Sequence, residues 1–461
     1  GVIMVIQPGA EGFSSYALFP LAAAVFYALV GVTARLFDDD VPSAVVNLYS
    51  SFSSIVGAVL ITYFWSGFNT ITSATDMVWT ILMGGLGGTL SNIPATELGG
   101  VAIKAAMDGA TVTPSDIDEL LMGCVLPAGL GQAPARQAGF AAGLGIDVPA
   151  TTINKMCGSG MKAVMMAHDQ LTLGNTEIMI SGGMESMSLS PYILPKMRSG
   201  ARLGHSEVKD HMFLDGLEDA YSKGRLMGTF AEDCAEKFQF TRQSQDEYAL
   251  RSLSRAIDAN ISGVLSKEVA QITLKTRKGD IIIDTDEQPK NALPEKIPSL
   301  KPAFRDGGTV TAANSSSISD GAAALVLATP SAVTNKNLPV RANILGHSSH
   351  AQEPSLFTTA PVQAVQKLMR QLGWSTDDVD LWEVNEAFAV VPMAFARELN
   401  ISTEKLNIRG GACALGHPIG ASGARIIVTL LNALETTNKK RGIATICIGG
   451  GEATAVAIER T

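Results

Sequence analysis

The chain has 461 residues, which is too long for one ordinary domain and suggests two to three. Charged residues make up 17%, mean hydropathy is +0.21 and the net charge is −9. These values exclude a disordered chain or a nucleic-acid-coating protein, while leaving room for local binding of an anionic substrate.

The averages conceal two populations. Residues 1–90 carry six charged residues (Glu11, Arg35, Asp38, Asp39, Asp40 and Asp76), 13 of the 27 aromatics and no Lys. The other 371 residues have an ordinary charge content. Gly12 to Ala34 is uncharged for 23 residues, and Val41 to Thr75 for 35. A membrane span needs about 20 mostly apolar residues. Two transmembrane helices are expected, near Ser15–Phe37 and Ser43–Trp65, with membrane contact through residues 13–66. Tyr63, Phe64 and Trp65 would sit at the interface. The alternative is a buried soluble hairpin. The string FPLAAAVFYALVGVTARLF resembles the spans of EamA-type drug/metabolite transporters. It covers only part of that family's pattern, so no transport function is carried over.

From Met83 onward the pattern is α/β. Helices are expected at Pro94–Ala106 and Pro114–Leu121, the second opened by Thr113 or Ser115. Strand Ile153–Met156 leads to helix Gly158–Gln170. Strand Ile178–Ser181 leads to a Gly182-Gly183 turn. IMISGGMESM (178–187) echoes ICIGGGEATA (446–455), which suggests a duplicated core. Residues 189–300 read as an insertion, and Asn335–Pro339 marks the start of the second half. The expected division is 1–82, 83–188 with 301–338, 189–300, and 339–461.

The five cysteines show no CxxC spacing and no secretory leader precedes the apolar start, which fits free thiols in a reducing compartment and no zinc motif. Cys157 follows a strand and precedes glycines that open a helix. There the helix dipole favours a thiolate and backbone amides can meet an oxyanion. The plain alternative is a buried, inert Cys. His417, in Gly416-His417-Pro418-Ile419-Gly420, can take a thiol proton or polarise a carbonyl, or can be structural. Cys447 ends a strand before Gly449-Gly450-Gly451, as a second acid/base thiol or a core Cys. Asn385, in Asn385-Glu386-Ala387-Phe388, reads alone as a helix cap.

Together, NKMCGSGMKA, SGGMESMS, NEAFA, GGACALGHPIGASGAR and CIGGGEA, in that order, resemble the thiolase family over about residues 83–461. Within the family the chain looks most like the acetyl-CoA C-acetyltransferases. The resemblance implies duplicated αβαβα halves with an inserted coenzyme A-binding loop domain, here behind an apolar helical segment. It implies an acyltransferase of fatty acid metabolism that interconverts two acetyl-CoA with acetoacetyl-CoA plus CoA. Coenzyme A is then a substrate and no cofactor or metal is needed. Cys157 would be acylated and His417 would activate it. Asn385 would hold a water in one oxyanion hole. Cys447 would exchange the α-proton, and the amides of Cys157 and Gly449 would form the second oxyanion hole. Ser316 would contact pantetheine, Met227 and Phe388 the acyl group, and Lys290 the CoA phosphates.

A cytoplasmic homodimer or homotetramer is implied, with possible membrane association through the first segment and no nucleic acid. Leu226-Met227-Gly228 and Phe357-Thr358-Thr359-Ala360-Pro361 depart from the usual family strings, which leaves a longer-chain 3-ketoacyl-CoA thiolase as an alternative. Cys413 reads as structural. The family's first strand and Ala–Arg–Thr–Pro turn are missing before Met83-Gly84-Gly85. Their loss should leave a sheet edge unpaired and open a cavity. With Gly1 in place of Met, this suggests a chimera or fragment, and an inactive chimera is the second alternative. A ketoacyl-synthase-like condensing enzyme is disfavoured by CIGGGEA.

Overall fold

The structure is a computed structural model that describes residues 88–276 and 279–461. The apolar runs within residues 1–82, and hence the expected spans, lie outside the described residues. Among the described residues no helix is long and apolar enough to cross a membrane.

In chain order, α1 (Ala95–Ala110), β1 (Glu119–Gly123), α2 (Pro134–Ala141), β2 (Ala150–Ile153), α3 (Ser159–Thr172) and β3 (Ile178–Ser186) build the first half. The connecting region holds the hairpin β4 (Tyr192–Ile193) and β5 (Lys209–Asp210), then α4 (Met227–Phe238) and α5 (Arg242–Ile261). It continues with the hairpin β6 (Ile272–Thr276) and β7 (Gly279–Ile283), and the one-turn α6 (Glu287–Asn291). β8 (Asp320–Ala328) and α7 (Pro330–Lys336) return to the first half. The second half comprises β9 (Ala342–Ala351), α8 (Ala360–Leu372), β10 (Leu381–Val384), α9 (Val390–Leu399), α10 (Ala412–Leu415), α11 (Ile419–Thr436), β11 (Arg441–Ile448) and β12 (Glu452–Arg460).

The duplication is visible in the sheets. The first runs β2-β1-β3-β8 and the second β10-β11-β12-β9. In each, a parallel pair (β1/β3, β10/β11) is followed by an antiparallel partner (β8, β12). A parallel bridge from Trp382 to Leu406 stands where β2 lies in the first sheet. Strand alternation divides the side chains between layers. Leu121 and Met179 face α3 and α11, which lie between the two sheets. Leu120, Met122, Ile178 and Ile180 face α1 and α2. On the other side, Trp382, Val384 and Ile443 face α8 and α9. The result is a five-layered α/β/α/β/α core.

Several sequence expectations change. Pro114–Leu121 is not a helix. Thr113 and Asp116 close a reciprocal cap around one 3₁₀ turn, Pro114–Asp116, and Glu119–Gly123 then enters the sheet as a strand buried from Leu120 onward. Periodicity in so short an apolar run does not separate helix from strand. The strand expected at Ile153–Met156 ends at Ile153, because Met156 has a left-handed φ of 46°. Gly182-Gly183 is not a turn but the middle of fully buried β3. These glycines serve close packing: a Cβ on Gly183 would lie 2.0 Å from the Gly420 carbonyl oxygen, and one on Gly182 would lie 2.1 Å from that of Ala323. The two echoing strings therefore differ in structure, since the second is β11, a glycine turn and β12. Gly183→Ala should overpack this contact and lower stability by about 1–3 kcal/mol. A thermal unfolding midpoint equal to that of the parent would show that the backbone of Gly420 yields freely.

Among the described residues β8 closes the first sheet, whereas β12, its counterpart, is covered by β9. A cavity of about 1140 Å³ lies against β8 and is lined on that side by Ala322, Ala324 and Val326, and across from them by Leu98, Ala102 and Leu338. The segment expected to lack the first strand, before Met83, lies outside the described residues.

Candidate active site

The functional motifs gather where parallel strands end, the usual place for ligand sites in α/β sheets. β2 runs into Cys157, β10 into Asn385, and β11 into Cys447 and Gly449. His417 lies between α10 and α11, in the turn that begins α11.

Cys157 is half-buried, directly before the N-terminus of α3. Its turn is held by the Lys155 amide donating to Ser159 Oγ (2.8 Å) and the Met156 amide to Asn154 Oδ1 (3.0 Å). A thiolate favoured by the helix dipole was expected. Burial instead pushes the thiol up to about 11, and the backbone N–H groups of Gly449 and of Cys157 itself oppose that rise only in part. The resting sulfur is therefore a thiol in need of a base. The two amides converge on it from β11 and α3.

His417 is buried, and burial, then the positive charge of Arg425, holds its imidazole down at about 3. It is neutral at physiological pH. Ser422 Oγ donates to the Pro418 carbonyl (3.0 Å), so it accepts from His417 Nδ1 at 2.6 Å. The proton of the neutral ring then sits on Nδ1, leaving the Nε2 lone pair free to act as a base. Asn385 Nδ2 approaches Nε2 at 3.4 Å. Asn385 Oδ1 is buried without a hydrogen-bond partner, a position suited to a bound water.

Cys447 is buried, and its thiol is pushed well above the ordinary value by burial first and by the nearby Cys157 second. Gly449 lies close to two methionines. A Cβ there would be 3.7 Å from Met227 Cε and 4.0 Å from Met156 Cε. Phe388 makes edge contacts with Phe304 (5.8 Å) and Phe357 (6.4 Å). Phe357 is buried and packs against Phe388 as part of the wall of this region. Ser316 is fixed beside the NEAFA loop, with its amide and hydroxyl both donating to the Ala387 carbonyl at 3.0 Å. Lys290 is exposed on α6. That helix reaches the same region through Gln288, which accepts from Ser317 Oγ at 2.5 Å.

Three supporting residues were not singled out from the sequence. Ser422 orients His417, and its signal was the second half of GHPIGASGAR. Glu185, the Glu of SGGMES, accepts from the backbone N–H groups of Val125, Leu126 and Gly420. It thereby joins the loop after β1 to the His417 turn, and burial raises its carboxyl to about 7. Glu386 accepts from Tyr248 (2.8 Å), Ser252 (2.7 Å), Asn407 (2.8 Å) and the amide of Cys413 (3.1 Å). It anchors α5 to the NEAFA loop. Cys413 is structural, as expected, with its sulfur directed at the Glu386 carbonyl. Ser422→Ala should lower kcat by roughly tenfold to a hundredfold by releasing the imidazole tautomer, with KM little changed. Equal losses in kcat and stability would instead mark Ser422 as purely structural.

Residues 77–331 match the family described as "Thiolase, N-terminal domain", and residues 338–460 match "Thiolase, C-terminal domain". The chain is 48% identical to acetyl-CoA acetyltransferase 2 of Arabidopsis thaliana, over 82% of this chain and 94% of that one. It is 45% identical to a probable acetyl-CoA acetyltransferase of Dictyostelium discoideum, over 82% and 91%. The crystal structure of the Bacillus anthracis acetyl-CoA acetyltransferase superposes with a TM-score of 0.79 at 39% identity, covering 82% of this chain and 95% of that one. A thiolase from Ascaris suum in complex with coenzyme A superposes at 0.76 and 41% identity, covering 81% and 96%. With both halves of the fold matched by the family's two domains, the chain belongs to the thiolase family.

Proposed function

We propose that Cys157, His417, Asn385, Cys447 and the Gly449 amide carry out reversible thiolysis of acetoacetyl-CoA. The protein is an acetyl-CoA C-acetyltransferase: it interconverts two acetyl-CoA with acetoacetyl-CoA plus CoA. The observation that carries the assignment of roles is the arrangement of the site: the backbone N–H groups of Gly449 and Cys157 meet the Cys157 sulfur, Cys447 lies near it, and Asn385 Nδ2 lies 3.4 Å from His417 Nε2.

In the thiolysis direction the proton of Cys157 passes to His417 Nε2, and the sulfur attacks the 3-keto carbon of acetoacetyl-CoA. The C2–C3 bond breaks and leaves acetyl-Cys157 and the enolate of acetyl-CoA. The Nε2–H of His417 and a water on Asn385 stabilise that enolate. Cys447, still a thiol, protonates its carbon and becomes a thiolate. That thiolate takes the proton of incoming CoA, whose sulfur attacks the acetyl group. The amides of Cys157 and Gly449 hold the oxyanion that forms. Cys157 leaves and recovers its proton from His417, so every group returns to its starting state. Condensation is the reverse. This scheme needs no redox or metal chemistry.

Met227, Phe304, Phe357 and Phe388 are bulky neighbours of the acyl position and favour a short acyl chain over the longer-chain alternative. Ser316 and Lys290 remain the proposed pantetheine and phosphate contacts. Assembly as a homodimer or homotetramer, a cytoplasmic location and membrane association through residues 13–66 rest on the sequence readings. The five free cysteines fit a reducing compartment. Cleavage of acetoacetyl-CoA in the presence of CoA, compared with a 3-ketoacyl-CoA of longer chain, tests the reading. Preference for the longer substrate would overturn the acetyl assignment.

A further inference from the structure

At the far end of α3 from Cys157, about 15 Å along the helix axis, a second group of ligating side chains meets across the two halves. His168 and Asp169 come from α3 and His347 from β9. The pairing of β9 with β12 carries an extra residue, Leu345, between the pairs Ile344–Ile458 and Gly346–Ala457. Such a bulge reverses the alternation of the strand and re-aims its side chains. Gly346 and Ser348 consequently face α8, where Ser348 Oγ donates to the Ala364 carbonyl at 2.6 Å. His347 is left facing α3.

His347 Nε2 lies 2.8 Å from Asp169 Oδ1, and His168 Nδ1 lies 3.7 Å from the same oxygen. The two imidazoles meet edge to face at 5.3 Å. One donor atom from each of the three residues lies within 4.8 Å of the others. His168 Nδ1 is buried and has no hydrogen-bond partner among the described residues. Bonds of about 2.1 Å in a tetrahedral site place ligand atoms about 3.4 Å apart. The observed separations bracket that value, and Asp169, half-exposed, can adjust by rotating its carboxylate.

We propose that His168, Asp169 and His347 bind one divalent transition-metal ion of the zinc class, which ties α3 of the first half to β9 of the second. Two imidazole nitrogens and one carboxylate oxygen suit zinc, cobalt or nickel better than magnesium or calcium. The site touches none of the reacting groups, so its effect is on stability. An ion bound to the folded chain alone stabilises it by RT ln(1 + c/Kd), with c the free ion concentration, so the unfolding midpoint should rise with the logarithm of the ion's excess over Kd.

The test uses the full chain, stripped with a chelator and titrated with Co²⁺ in competition with Zn²⁺. The expected result is one equivalent of cobalt with the visible absorption of a four-coordinate nitrogen–oxygen site, displaced by zinc. Zinc should also raise the thermal midpoint. His347→Gln retains a hydrogen-bonding side chain beside Asp169 while removing the imidazole. It should fold normally, weaken cobalt binding at least about tenfold and abolish the zinc shift. Asp169→Asn should do the same. Absence of cobalt binding would overturn the site. So would a spectrum dominated by thiolate charge transfer, or equal binding and equal zinc shifts in the parent and His347→Gln.

Discussion

Cys157→Ala is expected to lower acetoacetyl-CoA thiolysis by at least about 10⁴-fold, with an unchanged unfolding midpoint. The other thiol of the site, Cys447, is buried in β11 and is assigned the proton transfer, so no second sulfur takes over the same step. The side chain of Cys157 is small and half-buried, so truncation leaves little cavity and a stability loss cannot account for the effect. The pH profile carries a related expectation. His417 is held near 3 by burial, so it does not gain a proton as pH falls through the ordinary imidazole range. Cys157, held near 11, does not lose its proton as pH rises through the physiological range. The rate kcat/KM should therefore show no inflection near pH 6.5. A clear acid limb there that persists in Glu185→Gln, which removes the carboxyl that burial raises to about 7, would mean that His417 is solvated and cationic before substrate arrives.

The second large effect is expected at Cys447. Cys447→Ala should lower overall thiolysis and condensation by about 10³–10⁴-fold while leaving the first acyl transfer to Cys157 intact. The two thiols thereby become separable. The nucleophile is lost in one variant and the carbon acid/base in the other. Incubation with radiolabelled acetyl-CoA should leave label on the protein in Cys447→Ala and none in Cys157→Ala. Equal labelling of both variants would show that the roles are misassigned. Failure of Cys447→Ala to label at all would make Cys447 part of the acylation step.

The site was more legible than the fold around it, for physical reasons. Cys157, His417 and Cys447 each lie in a short string whose glycines or proline fix the local backbone, and Asn385 directly follows β10 in NEAFA, so the sequence carries much of the geometry directly. The protonation of the site was not legible in that way. A helix N-terminus beside Cys157 argues for a thiolate, but burial by residues distant in sequence outweighs it. Ser422 lies within a quoted motif, yet its role depends on donating to Pro418 so that it can accept from His417. Gly182 and Gly183 look like a turn in isolation, and only the proximity of Ala323 and Gly420 explains them as strand. Leu345 and the bulge that aims His347 at α3 leave no local sequence signal at all.

The central claim is that Cys157 carries the acyl group. The most direct measurement is peptide mass spectrometry of the Cys447→Ala protein after exposure to acetyl-CoA, a background in which the acyl-enzyme should persist. The account predicts one acetyl group per chain, on the peptide containing Cys157 and removable by hydroxylamine. An unmodified Cys157 peptide, or stable acetylation of any other residue, would contradict it.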